Sequence, residues 1–413
     1  MTTIERLAPA PGWLELDATI AALTAPGPEP LRPFDPRLLA FFSAFSQILF
    51  AHPEGRHYPD LVALAFWMRR AELARLQRAF EALATPEVLL APRGLVFHIP
   101  PANVDTMFVY SWLLAAITGN RNVVRISERN ESPQVQWLCE TLNQLLARPE
   151  HAAIAAANAF LRYGHEEAVN ARLSAACDVR VIWGGDATIE RLRTFPLGAH
   201  ARELVFPDRY SLAVLDAAAV LALSAAEMAG LAEGFYNDVY WFDQQGCASP
   251  RLVVWRGEEA AQQQASRRFF EQLADHVAQR RYRLTPAVRM SKWVETLSGL
   301  LDAPVQAYHA PAPEVAVLRV TGLPDLRERW CGGGLFYETR IETLTELVPF
   351  VCRKDQTLIH HGVSHDDLVA LAQALNGRGI DRMVPVGQAL AFDRVWDGQD
   401  LLSEFVRRVA VRA

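Results

Sequence analysis

The sequence predicts an α/β protein: parallel sheets with helices wound on both faces. Three observations carry this. Short β-branched runs at residues 94–99, 122–126 and 179–183 alternate with stretches of helical spacing, the pattern of strand–helix units feeding a parallel sheet. Each run ends in a turn of small or polar residues, where an open α/β sheet meets its ligands. At 413 residues, 51% of them hydrophobic, the chain is long enough to bury the cores of two domains.

Residues 1–35 are rich in proline (Pro9, Pro11, Pro26, Pro28, Pro30, Pro33) and read as an arm, a loosely packed lead-in. Residues 36–88 are helical in pattern, with Leu61, Leu64, Met68, Leu73, Leu76 and Phe80 near helical spacing. The strand at 94–99 leads into Pro100-Pro101-Ala102-Asn103, and a helix over about 105–118 ends at Gly119-Asn120. A second strand, 122–126, is followed by a polar turn over 127–133 and a helix carrying Val135, Leu138, Leu142 and Leu145 on one face. The third unit has the strand 179–183, the turn Gly184-Gly185-Asp186 and a helix from about Ala187. The two glycines either let a ligand approach the backbone closely or simply make a tight turn. No G-x-G-x-x-G and no Walker pattern occurs.

Composition excludes several classes. A net charge of −6 leaves no basic footprint for nucleic acid. The apolar stretches 38–51 and 107–117 fall short of the ~20 residues that span a bilayer and read as core or interface helices. The N-terminus lacks a basic segment followed by an apolar one, so no secretory signal is expected. Five cysteines without disulfide-like spacing point to reduced thiols and a cytoplasmic location. His360-His361 have no cysteine or carboxylate cluster at ligand spacing, so no metal is expected. Arg267-Arg268 and Arg280-Arg281-Tyr282-Arg283 read as a solvated face, and His98 as a satisfied structural residue.

The stretch with the clearest chemical content is Asp243-Gln244-Gln245-Gly246-Cys247-Ala248-Ser249-Pro250-Arg251, just ahead of the apolar run Leu252-Val253-Val254-Trp255. A thiol that must reach a carbonyl needs small neighbours and backbone N–H groups near a developing oxyanion. Cys139, Cys177 and Cys352 sit in helical or apolar contexts, where a cysteine is a small hydrophobe. Cys331, before Gly332-Gly333-Gly334, is the rival, and that stretch reads as a flexible loop bordering the site.

Six motifs occur in a particular order: residues 98–103, 119–127, Trp183-Gly184-Gly185-Asp186, 243–250, 382–387 and Trp396-Asp397-Gly398. Together they resemble the LuxC-like long-chain fatty acyl-CoA reductases of the aldehyde dehydrogenase superfamily, from about residue 90 to the end. The resemblance implies an aldehyde dehydrogenase-like fold of two doubly wound α/β domains. The expected division is a cofactor-binding domain over 36–215, a catalytic domain over 216–395, and a C-terminal segment, 396–413, returning as a strand to the core or to a partner subunit. It places Cys247 as nucleophile, with Gln245 and Gly246 before it, and Asn103 as the side-chain oxyanion donor. Arg125, Ser127, Glu128, Gly184 and Gly185 fall at cofactor positions, although Arg125 replaces the usual lysine and Asp186 adds a negative charge at the pyrophosphate turn. Glu203 is the nearest counterpart of the hydrolytic family members' base; it lacks the two following glycines and reads as structural.

The activity implied is reduction of an acyl thioester, on CoA or a carrier protein, to an aldehyde with NADPH, NADH being the alternative. A homo-oligomer and an acyl-activating partner enzyme go with that reading. Two competing functions stand beside it: oxidation of an aldehyde to the acid, and a non-redox acyl-carrying or scaffold subunit.

Overall fold

The computed structural model describes residues 2–25, 29–53, 55, 58–130 and 132–412. The chain divides into two compact units, Met1–Pro207 with Phe392–Ala413, and Asp208–Ala391. The strands are, in chain order, β1 (Thr3–Ala8), β2 (Gly12–Glu15), β3 (Val88–Pro92), β4 (Leu95–Ile99), β5 (Arg121–Ser127), β6 (Asn158–Tyr163), β7 (Val179–Trp183) and β8 (Arg202–Phe206). They continue with β9 (Tyr210–Asp216), β10 (Pro250–Arg256), β11 (Val305–Ala312), β12 (Val315–Val320), β13 (Leu335–Ile341), β14 (Asp355–His361) and β15 (Arg382–Pro385). Two short strands, β16 (Val395–Trp396) and β17 (Gln399–Asp400), and then β18 (Val406–Ala410) complete the set.

The first unit holds a seven-stranded sheet in the order β2-β1-β6-β5-β4-β7-β8. Strands β4 to β8 run parallel. The chain winds outward from β4 through β5 to β6, then crosses to β7 and β8, so the switch of direction lies between β4 and β7. The helix Met107–Ile117 follows β4 and has every residue buried, which explains a sequence that is apolar but for Ser111 and the Tyr110 hydroxyl. The helix Pro133–Leu146 buries Val135, Leu138, Leu142 and Leu145, the face expected of it, under an N-cap from Ser132.

The expected arm over 1–35 is corrected here. β1 adds antiparallel to the open edge of β6, and β2 pairs with β1 in turn. Ile4, Ala8, Leu16 and Leu23 are buried. Burial of these side chains and pairing of the β6 edge outweigh the breaks that Pro9 and Pro11 impose, and those prolines fall in the turn between the strands. Pro26 and Pro28, counted in the arm, lie outside the described residues, as does Glu131 in the polar turn. The contact boundary between the units falls before β9, not at 215, and the chain returns to the first unit at Phe392, not 396. The C-terminal strand β18 pairs antiparallel with β3 of the same chain.

A buried polar network ties β4, β5 and β6 to the helix Met107–Ile117. His98 Nδ1 lies 2.8 Å from Ser111 Oγ and Nε2 lies 3.1 Å from Asn122 Oδ1. Asn122 Nδ2 and Trp112 Nε1 both donate to Asn158 Oδ1, and Trp183 Nε1 donates to Ser111 Oγ. Because Asn122 Oδ1 can only accept, the imidazole donates there and receives the serine proton at Nδ1.

The second unit holds a seven-stranded sheet in the order β11-β12-β13-β10-β9-β14-β15, parallel except for the hairpin edge β11. Alternate residues of its strands feed two cores. Val253 and Trp255 face Phe235, Phe269 and Phe270 on one side, and Leu252 and Val254 face Leu318, Tyr337 and Leu358 on the other. Arg268 is not a solvated charge: its guanidinium donates to the carbonyls of Val220, Leu221 and Leu223 at the end of the helix Ala217–Ala222.

His98 sets a pH dependence. Burial pushes its imidazole down to about 4. An unfolded histidine protonates near 6.5, so between pH 6.5 and 4 the unfolded chain binds the extra proton and stability falls as pH drops. The expected loss is roughly 2 kcal/mol by pH 5. Urea unfolding of the wild type and His98→Gln at pH 7 and pH 5 checks it: the glutamine variant, which can make both hydrogen bonds, should lose less stability on acidification.

Candidate active site

The nucleophile candidate sits between the helix Ala225–Tyr240 and β10. A capping box, Ser224 with Glu227, starts that helix. At its end the chain reverses through Asp243 and Gln244, both left-handed at φ 52° and 61°. Neither is glycine, so each costs of order 1–2 kcal/mol and has to be held by its surroundings. Gln244 N donates to Val239 O at 2.6 Å and Gln245 N to Phe242 O at 2.7 Å. The fully buried Gln244 amide donates to Pro250 O and Leu335 O and accepts from Gly334 N. Gly246 follows where a Cβ would stand 3.1 Å from Ser249 Oγ and 3.3 Å from Leu390 Cδ2. Cys247 is half-buried, and its carbonyl accepts from Ser211 Oγ of β9 at 2.7 Å.

The stretch Cys331-Gly332-Gly333-Gly334 is packed, not flexible, which corrects the sequence reading. All three glycines have positive φ. A Cβ on Gly332 would lie 2.4 Å from Asp243 O, and one on Gly334 2.0 Å from Glu314 O. Gly333 N donates to Asp243 O, and Gln245 Nε2 to Cys331 O at 3.4 Å. Lys292, nearly fully buried, donates its ammonium to the carbonyls of Pro313, Gly333 and Gly334. Burial pushes that amine down to about 8, and burial pushes the Cys331 thiol up to about 11, so Cys331 is a weak rival as a nucleophile.

Arg251 is 4% exposed, with its guanidinium 4.1 Å from the centre of the Trp330 ring and 5.9 Å from that of Tyr210. Its Nε is buried without a hydrogen-bond partner. Burial pulls the group down, opposed by charge on Asp208, Tyr210, Cys247 and Glu328.

In the first unit the expected residues lie at the carboxyl ends of parallel strands, on both sides of the switch of direction. Asn103 is exposed in the turn after β4, while Ser127 and the exposed Glu128 close β5. Arg125 donates to Gly164 O, stands over the Tyr163 ring at 5.1 Å, and keeps a buried Nε without an acceptor. Gly164 has no room for a side chain: a Cβ would meet Glu128 Oε2 at 2.8 Å. Gly185 caps the helix Asp186–Arg193 without a side-chain bond, and nothing lies within 4 Å of where its Cβ would be. Asp186, the first helical residue, is exposed. Trp183, beneath the turn, stacks on Phe206 at 3.7 Å. The exposed His165 is held below its usual range by desolvation and then by Arg125, Arg129 and Arg191, which places three cations around one strand end.

Glu203 lies elsewhere. It is the second residue of β8, opposite Arg180 in register, towards the amino end of the sheet. Both carboxylate oxygens are engaged, Oε2 by Arg180 and Oε1 by Arg193 at 2.7 Å. Arg180 is 2% exposed, so Glu203 is the counter-ion of a buried charge. No group of histidine, cysteine or carboxylate side chains arranged to hold a metal occurs among the described residues. Among them, too, no helix is long and apolar enough to cross a membrane.

Arg251, Lys292 and Arg129 escaped the sequence reading. Arg251 stood inside the cysteine stretch, and only its burial beside that loop marks it. Lys292 carried no signal, being one lysine on an amphipathic helix.

A family model described as acyl-CoA reductase (LuxC) matches residues 87–296. No curated protein matches the chain in sequence. Among solved structures, the NAD-dependent aldehyde dehydrogenase from Sinorhizobium meliloti is similar with a TM-score of 0.67 and 13% identity, over 99% of this chain and 91% of that one. Aldehyde dehydrogenase 21 from Physcomitrella patens, in complex with the reaction product succinate, gives 0.66 and 10% identity over 96% and 89% of the two chains. Indole-3-acetaldehyde dehydrogenase complexed with NAD+ gives 0.65 and 13% over 99% and 92%. At these identities the likeness is one of fold, and the fold is that of the aldehyde dehydrogenases, two doubly wound α/β sheets, as expected. The family match covers half of the chain, and the chain belongs to the LuxC acyl-CoA reductase family.

Proposed function

We propose that the protein is an acyl thioester reductase that forms an aldehyde through an acyl-enzyme on Cys247, with NADPH as reductant. The observation that carries this reading is the loop at 243–247. It delivers a half-buried cysteine among small residues through two strained, heavily braced backbone positions, in a chain of an acyl-CoA reductase family. Strain held in place by its surroundings is a mark of functional sites.

The Cys247 thiolate attacks the carbonyl carbon of the acyl thioester, and the CoA or carrier thiolate leaves with the electron pair of the broken C–S bond. The Cys247 N–H serves as an oxyanion donor, worth about 3–4 kcal/mol in comparable sites, and the family resemblance gives the Asn103 amide the same role. A reduced nicotinamide held by Arg125, Ser127, Glu128, Gly184 and Gly185 would supply the hydride; Cys247 leaves as the thiolate when the aldehyde is released.

The first unit suits such a cofactor. The open backbone at Gly185 beside a helix start accommodates a diphosphate, and the unsatisfied Nε of Arg125 calls for an acceptor oxygen. Arg125, Arg129 and Arg191 around His165 favour an additional phosphate, hence NADPH over NADH. The competing oxidation of aldehyde to acid needs a base to activate water, and Glu203 has both oxygens committed to arginines.

Three outcomes are expected. With acyl-CoAs from short to long, NADPH consumption should yield aldehyde, disappear in Cys247→Ala, and fall roughly 10²- to 10³-fold in kcat for Asn103→Ala; turnover that survives loss of Cys247 sinks the mechanism. Arg129→Ala and Arg191→Ala should raise the KM for NADPH by about tenfold each and leave that for NADH within twofold, as initial-rate kinetics with both cofactors would read. Glu203→Gln should keep aldehyde formation within about twofold at 20 °C while costing roughly 2 kcal/mol of stability; a selective loss of acid product with unchanged melting would instead restore it as a base.

A further inference from the structure

We propose that Arg251 is the cation that holds Cys247 as a thiolate, a positioning residue acting through the nucleophile. This rests on the reading of Cys247 as the attacking group.

Arg251 is 4% exposed, its Nε has no acceptor, and none of its nitrogens makes a salt bridge or hydrogen bond among the described residues. A buried cation without an anion is expensive unless its environment supplies negative potential. The largest opposing contributions come from Asp208, Tyr210, Cys247 and Glu328. The two carboxylates are already drawn to another cation, since Lys354 Nζ lies 2.8 Å from Glu328 and 3.6 Å from Asp208. Burial raises the Tyr210 phenol above its usual range, so it offers no anion at neutral pH. The nearby Arg327 also stands over the Tyr210 ring, but it is paired with the buried Asp355. Of these four, Cys247 is the remaining group able to become the counter-ion.

The geometry supports the pairing. Tyr210 and Ser211 are consecutive on β9. Ser211 Oγ holds the Cys247 carbonyl at 2.7 Å, and the Arg251 guanidinium stands 5.9 Å from the Tyr210 ring centre. Trp330 fixes both sides. Its ring lies 4.1 Å from the guanidinium, and its Nε1 donates to Gln244 O in the turn before Cys247. A cation beside a thiol favours the charged form, which is the species that attacks.

The test is the pH dependence of Cys247 alkylation by iodoacetamide, read by mass spectrometry on the peptide containing Cys247, so the other four cysteines do not contribute. In the wild type the midpoint should lie below the ~8.5 of a free thiol. Arg251→Gln should move it up by about one unit, a roughly tenfold slower alkylation at pH 7, and Arg251→Lys, which keeps the charge, should move it less. An unchanged midpoint in Arg251→Gln overturns the proposal, as does a lysine variant shifted as far as the glutamine one. If circular dichroism finds Arg251→Gln unfolded, Trp330→Leu reads the same dependence at a partly exposed site: an upward shift is expected, and none overturns the proposal. The alkylation readout needs no substrate. An absence of thioester reduction would therefore fall on the proposed function alone, and an unchanged midpoint with turnover intact on Arg251 alone.

Discussion

Placing a half-buried thiol at the amino end of a strand forces the chain to reverse within two residues, and the second unit is organised around that reversal. Asp243 and Gln244 take left-handed conformations that disfavour any side chain. The compensation is concentrated in one amide. Gln244 bonds Pro250 O, Leu335 O and Gly334 N while its own backbone N–H reaches Val239 O. At about 1 kcal/mol net for each such bond, the set offsets the backbone cost. The triple glycine follows from the same constraint. The turn approaches so closely that a Cβ at Gly332 would overlap Asp243 O, and Lys292 secures the far side of that strip through two of its carbonyls.

The two sheets use opposite ends. In the first unit the parallel strands present Asn103, Ser127 and Gly184 at their carboxyl ends, on both sides of the switch between β4 and β7. This is where the general rule for open α/β sheets puts ligands. In the second unit Cys247 precedes β10 and leans on Ser211 near the start of β9, so the thiol lies at the amino end. Strand-end logic alone would have looked for it at the wrong end of its sheet. What marked it instead was steric: small residues around one cysteine, next to a strand.

That contrast explains what could be read before the structure. The strand–helix units from β4 to β7 were legible because local periodicity encodes them, and His98 was recognisable as a strand residue with partners on neighbouring elements. The N-terminal arm was misread because proline is a local signal. The edge of β6 that recruits residues 3–8 lies about 150 residues away and leaves no trace in the arm's own sequence. The triple glycine was misread for a related reason: composition cannot separate a glycine needed for freedom from one needed for close approach. Arg251 stands in the cysteine stretch, yet its isolation depends on Lys354, about 100 residues later, drawing off the nearby carboxylates.

Glu203 carries the same reasoning into chemistry. The parallel register of β7 and β8 sets it opposite Arg180, whose guanidinium is almost wholly buried and also bonds Ser174 Oγ and Phe195 O. Without a carboxylate there, the fold would hold an uncompensated interior charge. Arg193 donates to the second oxygen, so both carboxylate oxygens are engaged by arginines. The electrostatic demand of one buried arginine thus accounts for the commitment of both Glu203 oxygens to the fold.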